Sequence, residues 1–333
     1  MPRVSVIIVN FNAGDWLTRS VASVAAQTMA DFECFIIDNG SVDNSMTSLP
    51  DLDNRFKIIE LGENTGFARA NNIGAHKANS DWIALLNPDA FARPDWLDRL
   101  LLETTRRDDI TMVGSRQIMA LDSTVLDGLG DCYSAFGIAY RAGYGHNVNL
   151  KPETGFVFGP CAAAALYHRE TFLRLGGFDK RFFCYHEDVD LALRMRLAGG
   201  ECVQSADAIV DHVSSAISNN ISGFAVFHGT RNRVWTFFKS MPLPLLILLS
   251  PLHIFANLAY LLWATFRPGR LKPTARGLWY ALIGLPGILA TRKDIMAHKT
   301  ISSTELLSAL TFSPLKVVRR GVHIRPLSDK ERE

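Results

Sequence analysis

Two short stretches of this sequence place acids where acids can do chemistry. From Gly176 to Gly200 the chain reads GGFDKRFFCYHEDVDLALRMRLAGG, so that Glu187-Asp188-Val189-Asp190 follows an aromatic-rich loop, Phe178 to Tyr185, and opens a helix expected to reach about Leu197. Acids in a first helical turn are favoured by the helix macrodipole, and capping accounts for one of the three. An aromatic enclosure also raises the proton affinity of a carboxylate, which suits it to general-base work. The second stretch is WIALLNPDA, Trp82 to Ala90, where an apolar run stops at Asn87-Pro88 and the next residue is Asp89. This pattern predicts a buried strand delivering an acid to its carboxyl end, the edge at which open α/β sheets bind ligands. A metal ligand, a substrate ligand and an Asx-type turn all remain open for Asp89 alone.

Such acids need a sheet behind them. Val4 to Val9 reads as a fully buried parallel strand, Asn10 to Asp15 as the turn into a helix over Trp16 to Gln27, and Phe32 to Ile37 and Phe56 to Leu61 as two further strands. Strand, helix, strand at this spacing begins a doubly wound sheet. The second strand ends in Asp38-Asn39-Gly40-Ser41, whose acid can accept hydrogen bonds from a base imide or a ribose hydroxyl. Neither GxGxxG nor GxxxxGK[ST] is present, which argues against a dinucleotide cofactor and removes a P-loop.

VSVIIVNFN, IIDNGSVDNS, ENTGFARANNIG and LLNPDA, in this order and spacing, resemble the inverting glycosyltransferases of family 2 with the GT-A fold, in the rhamnosyltransferase branch. The resemblance covers roughly residues 4 to 300. It implies a Rossmann-like mixed sheet flanked by helices, and a nucleotide-sugar donor, dTDP- or UDP-linked. It also implies a donor site in which the backbone from Val9 to Phe11 cradles the base, Asp38 binds the pyrimidine or ribose, and Arg69 and Asn71 face the nucleotide. Asn87-Pro88-Asp89 aligns with the DxD-type motif with Asn in place of the first acid, so Asp89 would hold Mn²⁺ or Mg²⁺ with the diphosphate. Asp211-His212-Val213-Ser214-Ser215 matches the late histidine motif and implies His212 as a further metal ligand. Asp188 corresponds to the aspartate that deprotonates the acceptor hydroxyl. Glu187 and Asp190 would orient loop, helix and acceptor, and Gly159, Ala162, Tyr185 and Asp190 would border the acceptor. Gln117 to Leu150, with Asp127, Asp131, Tyr140 and Tyr144, is where acceptor specificity is expected.

The 333 residues carry a formal charge of +2 that conceals a split. Residues 1–222 hold 19 basic and 28 acidic side chains, whereas 223–333 hold 16 and 5. Ser240 to Phe266 contains no charged residue, although Pro242, Pro244 and Pro251 are expected to break its first half and leave Leu252 to Phe266 as the long helix. Gly277 to Thr291 is a shorter uncharged stretch, and basic residues flank both. If both stretches spanned a bilayer, the middle basic cluster would lie outside, so helices lying in the cytoplasmic leaflet are expected. A single crossing, or an apolar subdomain packed on the catalytic domain or in a homo-oligomer, stays open. The basic residues border apolar runs rather than aromatic-studded polar strands, which argues against nucleic acid. Five cysteines without a CxxC pair suggest neither a disulfide framework nor structural zinc, and no signal peptide is read at the start.

The expected organisation is a catalytic domain over 1–225, a membrane-associating helical region over 226–315 and a fraying basic tail over 316–333. The expected function is transfer of one sugar, such as L-rhamnose from dTDP-rhamnose, to a lipid-linked or cell-surface glycan at the cytoplasmic face of the inner membrane. A degenerate transferase fold acting as a scaffold is the alternative, supported by Asn87.

Overall fold

The computed structural model describes residues 1–214 and 223–328. Its strands are β1 (Val4–Asn10), β2 (Phe32–Asp38), β3 (Phe56–Glu60), β4 (Trp82–Leu86), β5 (Ala90–Ala92), β6 (Ile110–Met119), β7 (Leu126–Gly128), β8 (Asp131–Tyr133), β9 (Ala139–Arg141), β10 (Gly155–Phe156), β11 (Ala164–His168), β12 (Glu201–His212) and β13 (Arg325–Pro326). The helices are α1 (Asp15–Ala25), α2 (Phe67–Lys77), α3 (Trp96–Thr104), α4 (Arg169–Arg174), α5 (Glu187–Leu197), α6 (Phe224–Ser240), α7 (Leu243–Thr265), α8 (Leu271–Leu289), α9 (Arg292–Ala297), α10 (Ser303–Ser308) and α11 (Pro314–Arg319).

One mixed sheet organises the molecule, with strand order β13-β10-β12-β6-β11-β4-β1-β2-β3. β1 pairs in parallel with β2 and β4, and β2 with β3. β11 runs antiparallel between β4 and β6, which makes the sheet mixed. Both faces of the parallel part are covered, because alternate residues of a strand point to opposite sides. Ile7, Val9, Phe35 and Ile37 enter one core, and Val6, Ile8, Cys34 and Ile36 the other. β3 is an edge strand with one exposed face, so its apolar run is shorter than those of its neighbours.

Two expectations change. The prolines do not break α7, which runs unbroken for 23 residues from Leu243. Pro242 caps it and Pro244 sits in its first turn, where the missing N–H has no intrahelical partner in any case. Pro251 lies inside and forgoes one bond, but Leu245, Leu249, His253 and Asn257 bury the packed face around it. Nor does the described part of the tail, 316–328, fray: α11 forms, and β13 adds an antiparallel edge to β10. The segment from Gln117 onward becomes the end of β6, then β7 and the β8–β9 hairpin, folded back towards the carboxyl edge of the sheet.

The face that α7 and α8 turn away from the rest of the molecule is apolar. Ile247, Phe255, Leu258 and Leu262 on α7 and Trp279 and Leu282 on α8 are all exposed. Among the described residues, α7 alone is long and apolar enough to cross a membrane.

Candidate active site

Strand ends deliver the first group of side chains. β1, β2 and β4 are parallel neighbours, so Val9 to Phe11, Asp38 and Asn87 arrive at one carboxyl edge. Asp38 is buried and accepts from Asn10 Nδ2 at 3.3 Å and from the Ser41 N–H at 3.3 Å, which shapes the turn after β2. β5 begins directly after Asp89 and pairs antiparallel with β12, setting Ala90 opposite His212. That register brings the Asp89 carboxylate to 3.3 Å from His212 Nε2, with the Asn87 amide at 3.4 Å from the same nitrogen.

His212 is held from behind. Its Nδ1 donates to Asp127 Oδ2 at 2.7 Å, and the same oxygen accepts from Arg141 Nη1 at 2.6 Å. Burial opposes charge on the imidazole, but its bonds to Asp127 and Asp89 outweigh that and raise its pKa to about 9. Burial acts on Asp127 too, yet Arg141 and His212 hold its carboxyl far below the usual range. Fixing Nδ1 as the donor aims Nε2 at Asp89, the arrangement that orients a histidine towards a metal. Once a bound cation displaces the Nε2 proton, Asp89, His212 and Asn87 present oxygen and nitrogen donors that fit a divalent cation such as Mn²⁺.

The second group lines a cavity of about 480 Å³ that also reaches Asn87. Asp188 lies in the first turn of α5 and accepts from the N–H groups of Val189 at 2.8 Å and Ala162 at 3.3 Å. Asp131, on β8, stands beside it, and the Asp131, Cys161 and Asp188 side chains approach within 4.8 Å of one another. Burial and the neighbouring Asp188 raise Asp131 to about 8, and burial raises Asp188 as well. Burial and Asp188 together push Glu187 well above the carboxylate range. One carboxyl of the Asp131–Asp188 pair thus keeps a proton while the other can remain a base. The β8–β9 register places Arg141 opposite Asp131; burial opposes charge on its guanidinium, but the acidic groups around it, Cys161, Asp127, Asp131 and Asp188, outweigh that and keep it charged. That cation already offsets the trio, so a metal fits the Asp89–His212 corner better. Burial makes the Cys161 thiol inert as a nucleophile.

The aromatic loop is strained and clamped. Phe183, Tyr185 and His186 have φ of 66°, 69° and 67°, a region that side chains other than glycine rarely adopt. Asn232 of α6, fully buried, donates to the carbonyls of Phe182, Cys184 and Tyr185 at 3.0, 2.9 and 2.7 Å. Arg231 adds bonds to the carbonyls of Arg181 and Phe182. The helix that opens the apolar region therefore builds the loop that encloses Asp188.

Asn87, Ala162, Tyr185, Glu187 and Asp188 meet in the cavity, with Asp89 and His212 adjoining Asn87. Arg69 is exposed on α2, outside the cavity lining. Asn71 is buried, outside the cavity lining, and its amide donates to Phe67 O of its own helix. Asp190 does not line the cavity. It lies about 200° around the helix from Asp188, fully buried, paired with Arg194 and with Lys239 at 2.7 Å. Gly159 approaches a helix rather than a ligand, since a Cβ there would lie 2.5 Å from Ala192 Cβ of α5. Ser215 of the histidine motif lies outside the described residues. Arg141 and Arg320 line the cavity without any local motif to announce them, and Asp127 acquires its role only through the strand pairing.

The model of the Glycosyl transferase family 2 matches residues 5–172. An N-acetylglucosaminyl-diphospho-decaprenol L-rhamnosyltransferase of Mycobacterium tuberculosis is 27% identical over 237 residues, 62% of this chain and 75% of its own. An uncharacterized glycosyltransferase of Haemophilus influenzae is 33% identical over 117 residues, so the match spans 34% of this chain and only 36% of that protein. Two solved structures, each 17% identical, share the fold. GalNAc-T7 with UDP, GalNAc and Mn²⁺ gives a TM-score of 0.59 over 72% of this chain and 48% of its own. The mannosyltransferase PcManGT from Pyrobaculum calidifontis with GDP-Man and Mn²⁺ gives 0.55 over 96% and 86%. With the family model covering half its length and the sheet of GT-A enzymes beneath it, this chain belongs to glycosyl transferase family 2.

Proposed function

We propose that the protein is an inverting glycosyltransferase that moves one sugar from a nucleotide-sugar donor to a hydroxyl of a lipid-linked glycan. The observation that carries this is Asp188, held by two backbone N–H groups in a cavity that reaches Asn87, beside the Asp89–His212 corner. The acceptor oxygen attacks the anomeric carbon, and the bond from that carbon to the diphosphate breaks with its electron pair leaving on the nucleoside diphosphate. Asp188 takes the hydroxyl proton, and because attack and departure lie on opposite faces the anomeric configuration inverts. Asp131 keeps its own proton and leaves Asp188 free to act, while Arg141 stabilises the ionised carboxylate. Mn²⁺ or Mg²⁺ held by Asp89 and His212 would supply positive charge against the leaving diphosphate. Asp38 and the backbone from Val9 to Phe11 receive the nucleotide at the carboxyl edge.

The relative named an N-acetylglucosaminyl-diphospho-decaprenol L-rhamnosyltransferase supports L-rhamnose as the sugar moved and a lipid diphosphate-linked sugar as acceptor. The exposed apolar face of α7 and α8, with basic residues beside it, supports attachment to the cytoplasmic leaflet. The test is turnover of a panel of dTDP-, UDP- and GDP-sugars by purified protein in detergent, with Mn²⁺, Mg²⁺ or chelator and a lipid-linked acceptor. One donor consumed only with metal, by wild type and not by Asp188→Asn, is the expected result. Full transfer by Asp188→Asn would remove Asp188 as the base.

A further inference from the structure

A second cavity, of about 580 Å³, opens between the first turns of α6 and α8. Lys272 and Arg276 supply its charge, Phe224, Phe227 and His228 its aromatic wall, and among the described residues no acid lines it. Among the described residues neither cation is paired with a carboxylate; Arg276 instead lies over the rings of Phe227 and Tyr280, at 5.3 and 5.5 Å. Arg267 and Arg270 lie just before them in the chain, and 267–276 contains no Asp or Glu. Two helix N-termini add their partial positive charge to the same space. Unpaired cations in a concave site call for an anion.

Two neighbouring features narrow which anion. The apolar face begins beside the cavity, with Trp263 and Phe266 at the end of α7 and Trp279, Leu282 and Ile283 further along α8, all exposed. A soluble phosphate has no use for that face; a phosphate esterified to a lipid does. The catalytic cavity lies behind a shared aromatic partition. Phe224 sits 4.4 Å from His228 and 6.2 Å from Tyr185, and His228 stacks on Phe183 at 5.7 Å. Tyr185 and Gly229, the residue after His228, line the catalytic cavity on the other side.

We propose that the Lys272–Arg276 cavity binds the diphosphate of a polyprenyl-type lipid, whose chain lies along the apolar face of α7 and α8 and whose attached sugar reaches past Tyr185 to Asp188. The placement of the sugar rests on the glycosyl-transfer reading; the lipid diphosphate site does not.

Farnesyl diphosphate is the probe, titrated calorimetrically into the full chain in detergent with a saturating nucleoside diphosphate to block the donor site. Wild type is expected to bind it, with Lys272→Glu and the Lys272→Gln/Arg276→Gln pair weakening binding by about tenfold or more, as for lost charge-assisted bonds. Unchanged melting temperatures show that these variants are folded, and Lys272→Glu leaves the Arg276 ring contacts in place. Inorganic diphosphate binding as tightly as farnesyl diphosphate would overturn the lipid assignment. So would unaltered binding in both variants, or failure of farnesyl diphosphate to bind while the variants lose co-sedimentation with phosphatidylglycerol vesicles. Farnesyl diphosphate binding by a wild type that turns over no donor would sink the transferase reading and leave the site standing.

Discussion

Asp127 and His212, 85 residues apart, are joined by a 2.7 Å hydrogen bond that turns the other imidazole nitrogen towards Asp89. Asp127→Asn keeps the shape but removes the charge that the Nδ1 proton faces. Loss of such an orienting partner weakens metal affinity by about 10- to 100-fold. Mn²⁺ titration followed by electron paramagnetic resonance measures this directly, and unchanged affinity would place the metal elsewhere.

Asp131 carries a pH signature. Its carboxyl is raised to about 8 in the folded protein, by burial first and then by Asp188, against the ordinary 3.8. Between those values the folded state binds more protons than the unfolded one, so this group's contribution to stability falls as pH rises towards 8. Asp131→Asn removes the titration. Thermal melts should show the variant gaining on wild type by several degrees from pH 5 to pH 9; parallel melting curves across that range would contradict the shared-proton account.

Asp190 separates a structural from a binding role. Asp190→Ala leaves Arg194 buried without its carboxylate and Lys239 with Asp179 alone, and should cost about 3–5 kcal/mol, as for a broken buried pair. Chemical denaturation reads that loss. An acceptor ligand would instead raise the acceptor KM with stability unaltered.

Gly159→Ala drives a methyl into Ala192 and presses on α5 close to Asp188. Overpacking of this kind costs about 1–3 kcal/mol. Adding Ala192→Gly should restore much of the stability and transfer, and the double-mutant cycle gives the coupling. Independent effects would mean that the backbone, not the side-chain contact, absorbs the strain.

The carboxyl-edge residues were legible from sequence alone because their cause is local. A parallel strand buried on both faces must be a continuous apolar run, and the polar residue that ends it must lie at the ligand edge. Val4–Val9 before Asn10, Phe32–Ile37 before Asp38 and Trp82–Leu86 before Asn87 each announce themselves in this way. The helix start at Glu187 is equally local, yet the period of the helix decides which acid does what. Asp188 faces the cavity and Asp190 the buried Lys239, a distinction the resemblance alone did not make.

Tertiary structure decided the rest, because long-range pairing leaves no mark at either partner. The β5–β12 register joins Asp89 to His212, β7 brings Asp127 behind it, and the β8–β9 hairpin sets Arg141 against Asp131. Asn232 reads in sequence as one polar residue of a basic helix, and only packing reveals that it holds three carbonyls of the aromatic loop. The prolines of α7 mislead for the same reason: propensity is a local cost of about 3 kcal/mol, and the buried face of Leu245, Leu249 and His253 outweighs it.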